Sequence, residues 1–209
     1  MGEGNPTAVS YAQTEDLELI RATARQFLED RIGLEVVRDL MMSEEGFDRS
    51  LWKEIAALGW TGLAIGEEHG GAGYGLIELS VLLEEMGRLV TPGPFFASAV
   101  LATAAIDTAG DDAQRATLLP RLASGETIAT LAVFEEPRGW DLATPATTAT
   151  ADGTDWVLDG AKPFVLAGHQ ADVFIVAAAL DDGIGMFVVP VDAPGLDVTE
   201  TTVLDPTRR

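Results

Sequence analysis

Cysteine is absent from the 209 residues, which excludes disulfide frameworks and thiolate chemistry and fits a cytosolic protein. Histidine occurs only as His69 and His169. They are far apart and lack the i, i+3 or i, i+4 companion of a helical metal site, so each reads as structural or superficial. Lysine occurs only as Lys53 and Lys162, beside eleven arginines. Thirteen basic against 34 acidic residues give a formal net charge of −21. Such a field repels phosphate backbones and anionic membranes, and nucleic acid is not an expected partner. The acidic residues are dispersed, the pattern of a solvated acidic surface. No G-x-S-x-G is present, and nothing local suggests a Ser-His-Asp arrangement. No basic n-region precedes an apolar stretch at the start, so no signal peptide is expected. The longest uncharged run, "LVTPGPFFASAVLATAAI", is interrupted by Pro92, Gly93 and Pro94; the part that can be a continuous helix is too short to span a bilayer.

What is present falls into two halves with different periods. Up to about Ser124 the apolar spacing is helical. Thr14 is placed to cap a first helix, with Leu17, Ile20, Ala24, Phe27 and Leu28 on one face. Asp48 caps a second, on which Leu51, Trp52, Ile55 and Leu58 align before Gly59 ends it. The Gly-rich stretch "GEEHGGAGYG" leads into "LIELSVLLEEMGRL", where Ile77, Val81, Leu82, Met86 and Leu89 are expected to face the core. Helices over 95–109 and 112–123 follow, the latter ended or kinked by Pro120. After Gly125 short β-type runs alternate with turns. "TIATLAVF" is the first; "TTATADGTDWVLDGAKPFVL" reads as a hairpin with "DGTD" at its tip. "DVFIVAAAL" and "GMFVVPV" read as buried strands, and "LDVTETTVL" as a half-exposed one. The expected fold is α+β by segregated domains: a helical domain over 1–124, then an antiparallel, barrel-like β domain over 125–209.

Three features are candidates for chemistry. The glycines of "HGGAGYG" lack the strand–loop–helix context of a phosphate-binding unit, and a tight inter-helix connection is the reading they support. "LASGE" reads as a helix C-cap. Glu135 and Glu136 are adjacent carboxylates beside an apolar strand, but neighbours in extended chain point to opposite faces and need not cooperate.

The order of these motifs resembles the acyl-CoA dehydrogenase family. "EEHGGAGYGLIELSVLLEEMGR" is similar to the family's Gly-rich loop and following helix, and "LLPRLASGE" to its helix-to-sheet junction. "AVFEEPRGWD" takes the place of the flavin loop T-E-P-x-x-G-S-D, and "WVLDGAKPFVLAGHQADVFIVAA" that of the strand pair G-x-K-x-W-I-T-N…A-D. The resemblance implies flavin-dependent α,β-dehydrogenation of an acyl-CoA thioester, with FAD as cofactor and an electron-transfer flavoprotein as acceptor. It also implies a homo- or hetero-oligomer of such subunits in a bacterial cytoplasm. It implies a C-terminal four-helix domain carrying the catalytic glutamate, beyond "LDPTRR". The chain is then expected to be a fragment, or to be completed by another chain, with no catalytic residue of its own.

By the same resemblance the cofactor-binding positions are Ala132, Phe134, Glu135, Gly139, Trp140, Phe164, Val165 and Leu166, with Trp140 also reaching substrate. On this mapping Glu135 replaces the usual Thr and Trp140 the usual Ser, in a loop one residue shorter. Phe164 replaces the ring-stacking Trp, and Leu166 a hydroxyl residue that would have hydrogen-bonded the flavin edge. On this resemblance such losses are expected to weaken FAD binding. They motivate an alternative: a largely structural subunit of a heteromeric acyl-CoA dehydrogenase acting on a bulky thioester such as a steroid-CoA.

Overall fold

The computed structural model describes residues 15–136, 139–141 and 143–208. Among the described residues, six α-helices are followed by five strands. The helices are α1 (Glu15–Arg31), α2 (Leu34–Met42), α3 (Arg49–Ala57), α4 (Leu76–Arg88), α5 (Thr103–Ala109) and α6 (Asp112–Ala123). Thr14, the expected first cap, lies outside the described residues. The Asp48 cap forms as expected: its Oδ1 accepts from the N–H groups of Ser50, at 2.7 Å, and Leu51. α2 has no counterpart in the sequence reading. Gly33 before it provides no side-chain cap, and only Val37 is buried, so its periodic signal is weak.

Leu28, Trp52, Ile55, Leu79, Leu82 and Met86 form the helical core. Ile77, expected there, is exposed, and Leu79 is buried in its stead. The α1–α4 contact also buries a carboxylate. Glu85 accepts from Arg25 (2.7 and 3.0 Å), Arg88 (3.1 Å) and Arg21 (3.3 Å). These guanidiniums, Arg25 foremost, outweigh the effect of burial and hold Glu85 at about 2.

Between α4 and α5 the residues Phe96–Ala102 wind as a π-helix that is mostly buried. Ser98 joins it to the sheet: its Oγ accepts from Ala129 N–H at 3.2 Å, while its carbonyl accepts from the Thr103 hydroxyl. Pro120 does not end α6, which continues to Ala123. Leu118, Leu119 and Leu122, all buried against the sheet, outweigh the missing N–H.

The strands are β1 (Ala129–Ala132), β2 (Thr148–Asp152), β3 (Asp155–Asp159), β4 (Val173–Leu180) and β5 (Gly183–Pro190). A helical part followed by a sheet part is therefore observed. The sheet is open rather than barrel-like, and it is mixed. β2–β3 and β4–β5 are antiparallel hairpins, but β1 runs parallel to β4, from Ala129 opposite Val173 to Ala132 opposite Val176. β2 meets the end of β4, also parallel, at Thr148 opposite Ala179. Turn chemistry specifies the two hairpins locally, whereas the parallel pairing joins segments about forty residues apart and leaves no local mark. "LDVTETTVL" lies exposed outside any strand ladder, and the chain beyond it is pinned where Arg208 donates to the Thr91 carbonyl at 2.8 Å. Ala102, Ile106, Leu119 and Leu122 pack against Ala129, Val173 and Ile175, giving helices and sheet one shared core.

A carboxylate held below its ordinary value stabilises the fold above that value and loses the contribution on protonation. The thermal midpoint is expected to fall as pH drops from about 4.5 towards about 2. In Glu85→Gln the same titration, followed by circular dichroism, should show a shallower fall.

Candidate functional site

β1 delivers the chain to a tight reversal. Ala132 ends the strand and is buried; after it Glu135 and Gly139 exchange main-chain hydrogen bonds, Glu135 N–H to Gly139 O at 3.1 Å and Gly139 N–H to Glu135 O at 2.6 Å. Gly139 takes a left-handed conformation (φ 67°) that suits glycine.

The Glu135 side chain turns inward and is 3% exposed. Its Oε1 accepts from Lys162 Nζ at 2.6 Å, from the Thr147 hydroxyl at 2.6 Å and from Thr147 N–H at 2.9 Å. Oε2 accepts from Ala146 N–H. Burial alone would push this carboxyl up; the four donors, led by Lys162, outweigh it and hold Glu135 at about 2. Lys162 is itself buried. Thr147 also passes its carbonyl to Ala179 N–H at 2.8 Å, fastening this junction to β4. Gly160 permits the approach: a Cβ there would lie 2.5 Å from Thr147 Oγ1 and 2.7 Å from its Cα.

Beside the reversal stands a wall of three rings. Phe134 meets Trp140 edge-to-face at 5.1 Å and Phe164 at 5.3 Å. Trp140 is 69% exposed and Phe164 54%. Phe164 (φ 57°) and Ala167 (φ 55°) both adopt left-handed backbone, which costs roughly 1–3 kcal/mol for each non-glycine residue. Local bonds hold that conformation. Thr130 Oγ1 donates to Leu166 O at 2.6 Å, Gly168 N–H to Val165 O at 3.1 Å and Gln170 N–H to Ala167 O at 3.0 Å. Gln170 Nε2 then reaches Glu45 O at 2.9 Å, on the loop between α2 and α3. A large apolar ring is thus kept facing solvent by strained but well-braced chain.

The structure brings Phe134, Gly139, Trp140 and Phe164 together and places Val165 and Leu166 on the adjoining turn. It treats Glu135 differently from the sequence reading. The carboxylate is not at the exposed wall, because four donors claim it inside. This also changes the register. If Glu135, partner of the lysine of G-x-K, stands on the glutamate of T-E-P-x-x-G-S-D, Gly139 falls on the motif's glycine with no residue deleted. Phe134 then replaces the Thr and Glu136 the Pro. The signal was in the sequence, since Lys162 is one of only two lysines, but adjacency of Glu135 and Glu136 concealed which one it served.

Phe134, Trp140 and Phe164 could hold one face of a flat, π-rich ring such as isoalloxazine. The wall's side chains include no hydroxyl at Phe134, Phe164, Val165 or Leu166, and Thr130 Oγ1 is spent on Leu166. The polar edge of such a ring would therefore meet main-chain groups and the Trp140 indole N–H. Elsewhere, the Gly-rich loop is no phosphate cradle. Its N–H groups fold back on their own segment: Gly71 to Gly66 O, Ala72 to Gly62 O, Gly73 to Ile65 O and Tyr74 to Leu63 O, at 2.9–3.1 Å. No group of three or more metal-ligating side chains occurs among the described residues, nor does a helix long and apolar enough to cross a membrane.

Residues 14–126 match the model of the acyl-CoA dehydrogenase N-terminal domain, and residues 130–205 that of the middle domain. The chain is 30% identical to the acyl-CoA dehydrogenase FadE12 of Mycobacterium tuberculosis, over 97% of this chain and 54% of that protein. The Tcur3481-Tcur3483 steroid ACAD is similar in structure with a TM-score of 0.79 at 41% identity, over 87% of this chain and 49% of that one. An acyl-CoA dehydrogenase complexed with FAD from Bacillus anthracis gives a TM-score of 0.84 at 30% identity, over 96% of this chain and 35% of that one. The chain spans about half the length of the curated relatives it matches.

Lys162→Met leaves the Glu135 carboxylate buried without its cation, a loss expected to cost about 3–5 kcal/mol. Urea unfolding of the variant at neutral pH would measure it.

Proposed function

Because the chain belongs to the acyl-CoA dehydrogenase family, we propose that it forms the helical and middle portion, residues 1–124 and 125–209, of a subunit for flavin-dependent α,β-dehydrogenation of an acyl-CoA thioester. The observation that carries this reading is the Phe134–Trp140–Phe164 wall, built on the loop that corresponds to the family's flavin motif. FAD, when bound, supplies the acceptor for the hydride removed from the acyl chain.

The residues of this chain bind, orient and exclude water. Phe164 offers a ring face held rigidly toward the site, Phe134 backs it, and Trp140 closes the rim, where it also meets the thioester. Ala132, Val165 and Leu166 contribute main-chain polar groups to the edge of the ring system, whereas Glu135 and Gly139, whose N–H and C=O groups pair with each other, shape the loop that carries them. Excluding water at such a wall strengthens every polar contact made there. No base is assigned among these residues. The reading includes an electron-transfer flavoprotein as acceptor, assembly into an oligomer and a bacterial cytoplasmic setting.

A second reading is favoured by the missing hydroxyls at the wall and by the 41% identity to the Tcur3481-Tcur3483 steroid ACAD. The chain then serves a heteromeric assembly acting on a bulky, steroid-like acyl-CoA, in which a companion subunit completes the flavin's polar contacts.

The full-length product should purify yellow, or turn yellow with FAD, and reduce a dye acceptor with an acyl-CoA. Phe164→Ala should weaken FAD binding by about two- to tenfold, the worth of one aromatic contact, measured by titration of flavin fluorescence. A colourless and inactive preparation, both alone and with its companion subunit, rejects the flavin reading. A stable FAD-loaded homo-oligomer formed without a companion rejects the heteromeric one.

A further inference from the structure

We propose that Glu135 and Lys162 are positioning residues for the exposed aromatic wall: their buried pair sets where Phe134, Trp140 and Phe164 stand, and so sets the affinity for a flat aromatic cofactor. The inference deepens the flavin reading above and rests on it for the identity of the ligand, though not for the positioning itself.

Chain connectivity makes the argument. Phe134 precedes Glu135 directly, and Trp140 follows Gly139, whose backbone is paired to Glu135. Phe164 lies two residues after Lys162. Each ring is thus attached within two residues of one member of the buried pair or of its backbone partner. The carboxylate also gathers Ala146 and Thr147, closing the base of the loop that carries Trp140. Four donors converge on one group, and both charges are nearly removed from water. In such surroundings direction matters, because a buried carboxylate cannot exchange a poorly placed donor for solvent. The turn after Phe164 braces that ring independently, whereas the Glu135–Gly139 pairing is the tie nearest to Trp140. Trp140 and Phe164 are exposed, and edge-to-face contacts through Phe134 are the ring contacts that link them.

An amide at position 135 can accept at only one of its two ends, so Glu135→Gln must abandon either the Ala146 or the Thr147 side of the clasp. Lys162→Met removes the cation and keeps the stem's bulk. The double variant removes both buried charges, so it should regain most of the thermal midpoint that Lys162→Met loses. Positioning, in contrast, is not restored by neutralising the pair.

The decisive measurement uses the full-length protein without added flavin. The difference in near-ultraviolet circular dichroism between wild type and Trp140→Phe isolates the Trp140 signal. Repeated in each variant background, that difference should fall at least twofold in Glu135→Gln and in the double variant, while far-ultraviolet spectra are unchanged. FAD affinity should fall at least tenfold in the same two variants. Retention of the full Trp140 signal in the folded double variant overturns the inference, as does loss of signal that only accompanies global unfolding. If wild type binds no FAD while the Trp140 signal behaves as expected, the flavin reading fails and the positioning role stands. If wild type and variants bind FAD equally well, the positioning role fails and the flavin reading stands.

Discussion

A carboxylate taken out of water must be repaid by donors that already point at it, and Glu135 has four. This constraint organises the candidate site. Lys162 and the adjacent pair Ala146–Thr147 come from separate places in the chain, and they meet at Glu135 only when the sheet has formed. Thr147 is anchored in turn to β4, and its close approach to residue 160 depends on a glycine there. A polar cluster of this type specifies one arrangement, because each alternative leaves a buried donor or charge without a partner.

The same principle operates at a distance from the site. Glu85 gathers three arginines between α1 and α4, and Ser98, whose carbonyl accepts from Thr103, stitches the π-helix to the start of β1. The apolar clusters, one within the helical part and one shared by α5, α6, β1 and β4, are permissive about direction. The buried polar contacts select the geometry within them. Gln170, reaching from the turn after Phe164 to Glu45, ties the exposed wall to the helical half by the same means.

Much of the fold was legible before any coordinates. Apolar spacing marked α1, α3, α4 and α6, the Asp48 cap formed as the spacing implied, and the turn at "DGTD" marked the β2–β3 hairpin. These features are local: a helix face repeats every three or four residues, and a two-residue turn carries its own conformational demand. The misreadings were equally physical. Ile77 fits the helical stripe of α4 but faces solvent, because tertiary contact gave the inner position to Leu79. The alternation of "LDVTETTVL" was real, yet alternation without a neighbouring edge makes no ladder. Acidic residues were read together as a solvated surface, and Glu85 and Glu135 depart from that rule because cations meet them inside.

The sequence by itself determined which segments coil or extend, the acidic surface, the absence of thiol chemistry and the family to which the motifs point. Those properties depend on residue type and short-range order. The tertiary structure alone decided that β1 lies parallel to β4, that Glu135 rather than Glu136 takes the buried position, and that Phe134, Trp140 and Phe164 share one exposed wall. Each of these joins residues brought together by the fold or distinguishes neighbours of identical type. The difference rests on long-range hydrogen bonding and desolvation, which act on atoms in space and leave no periodic trace along the chain.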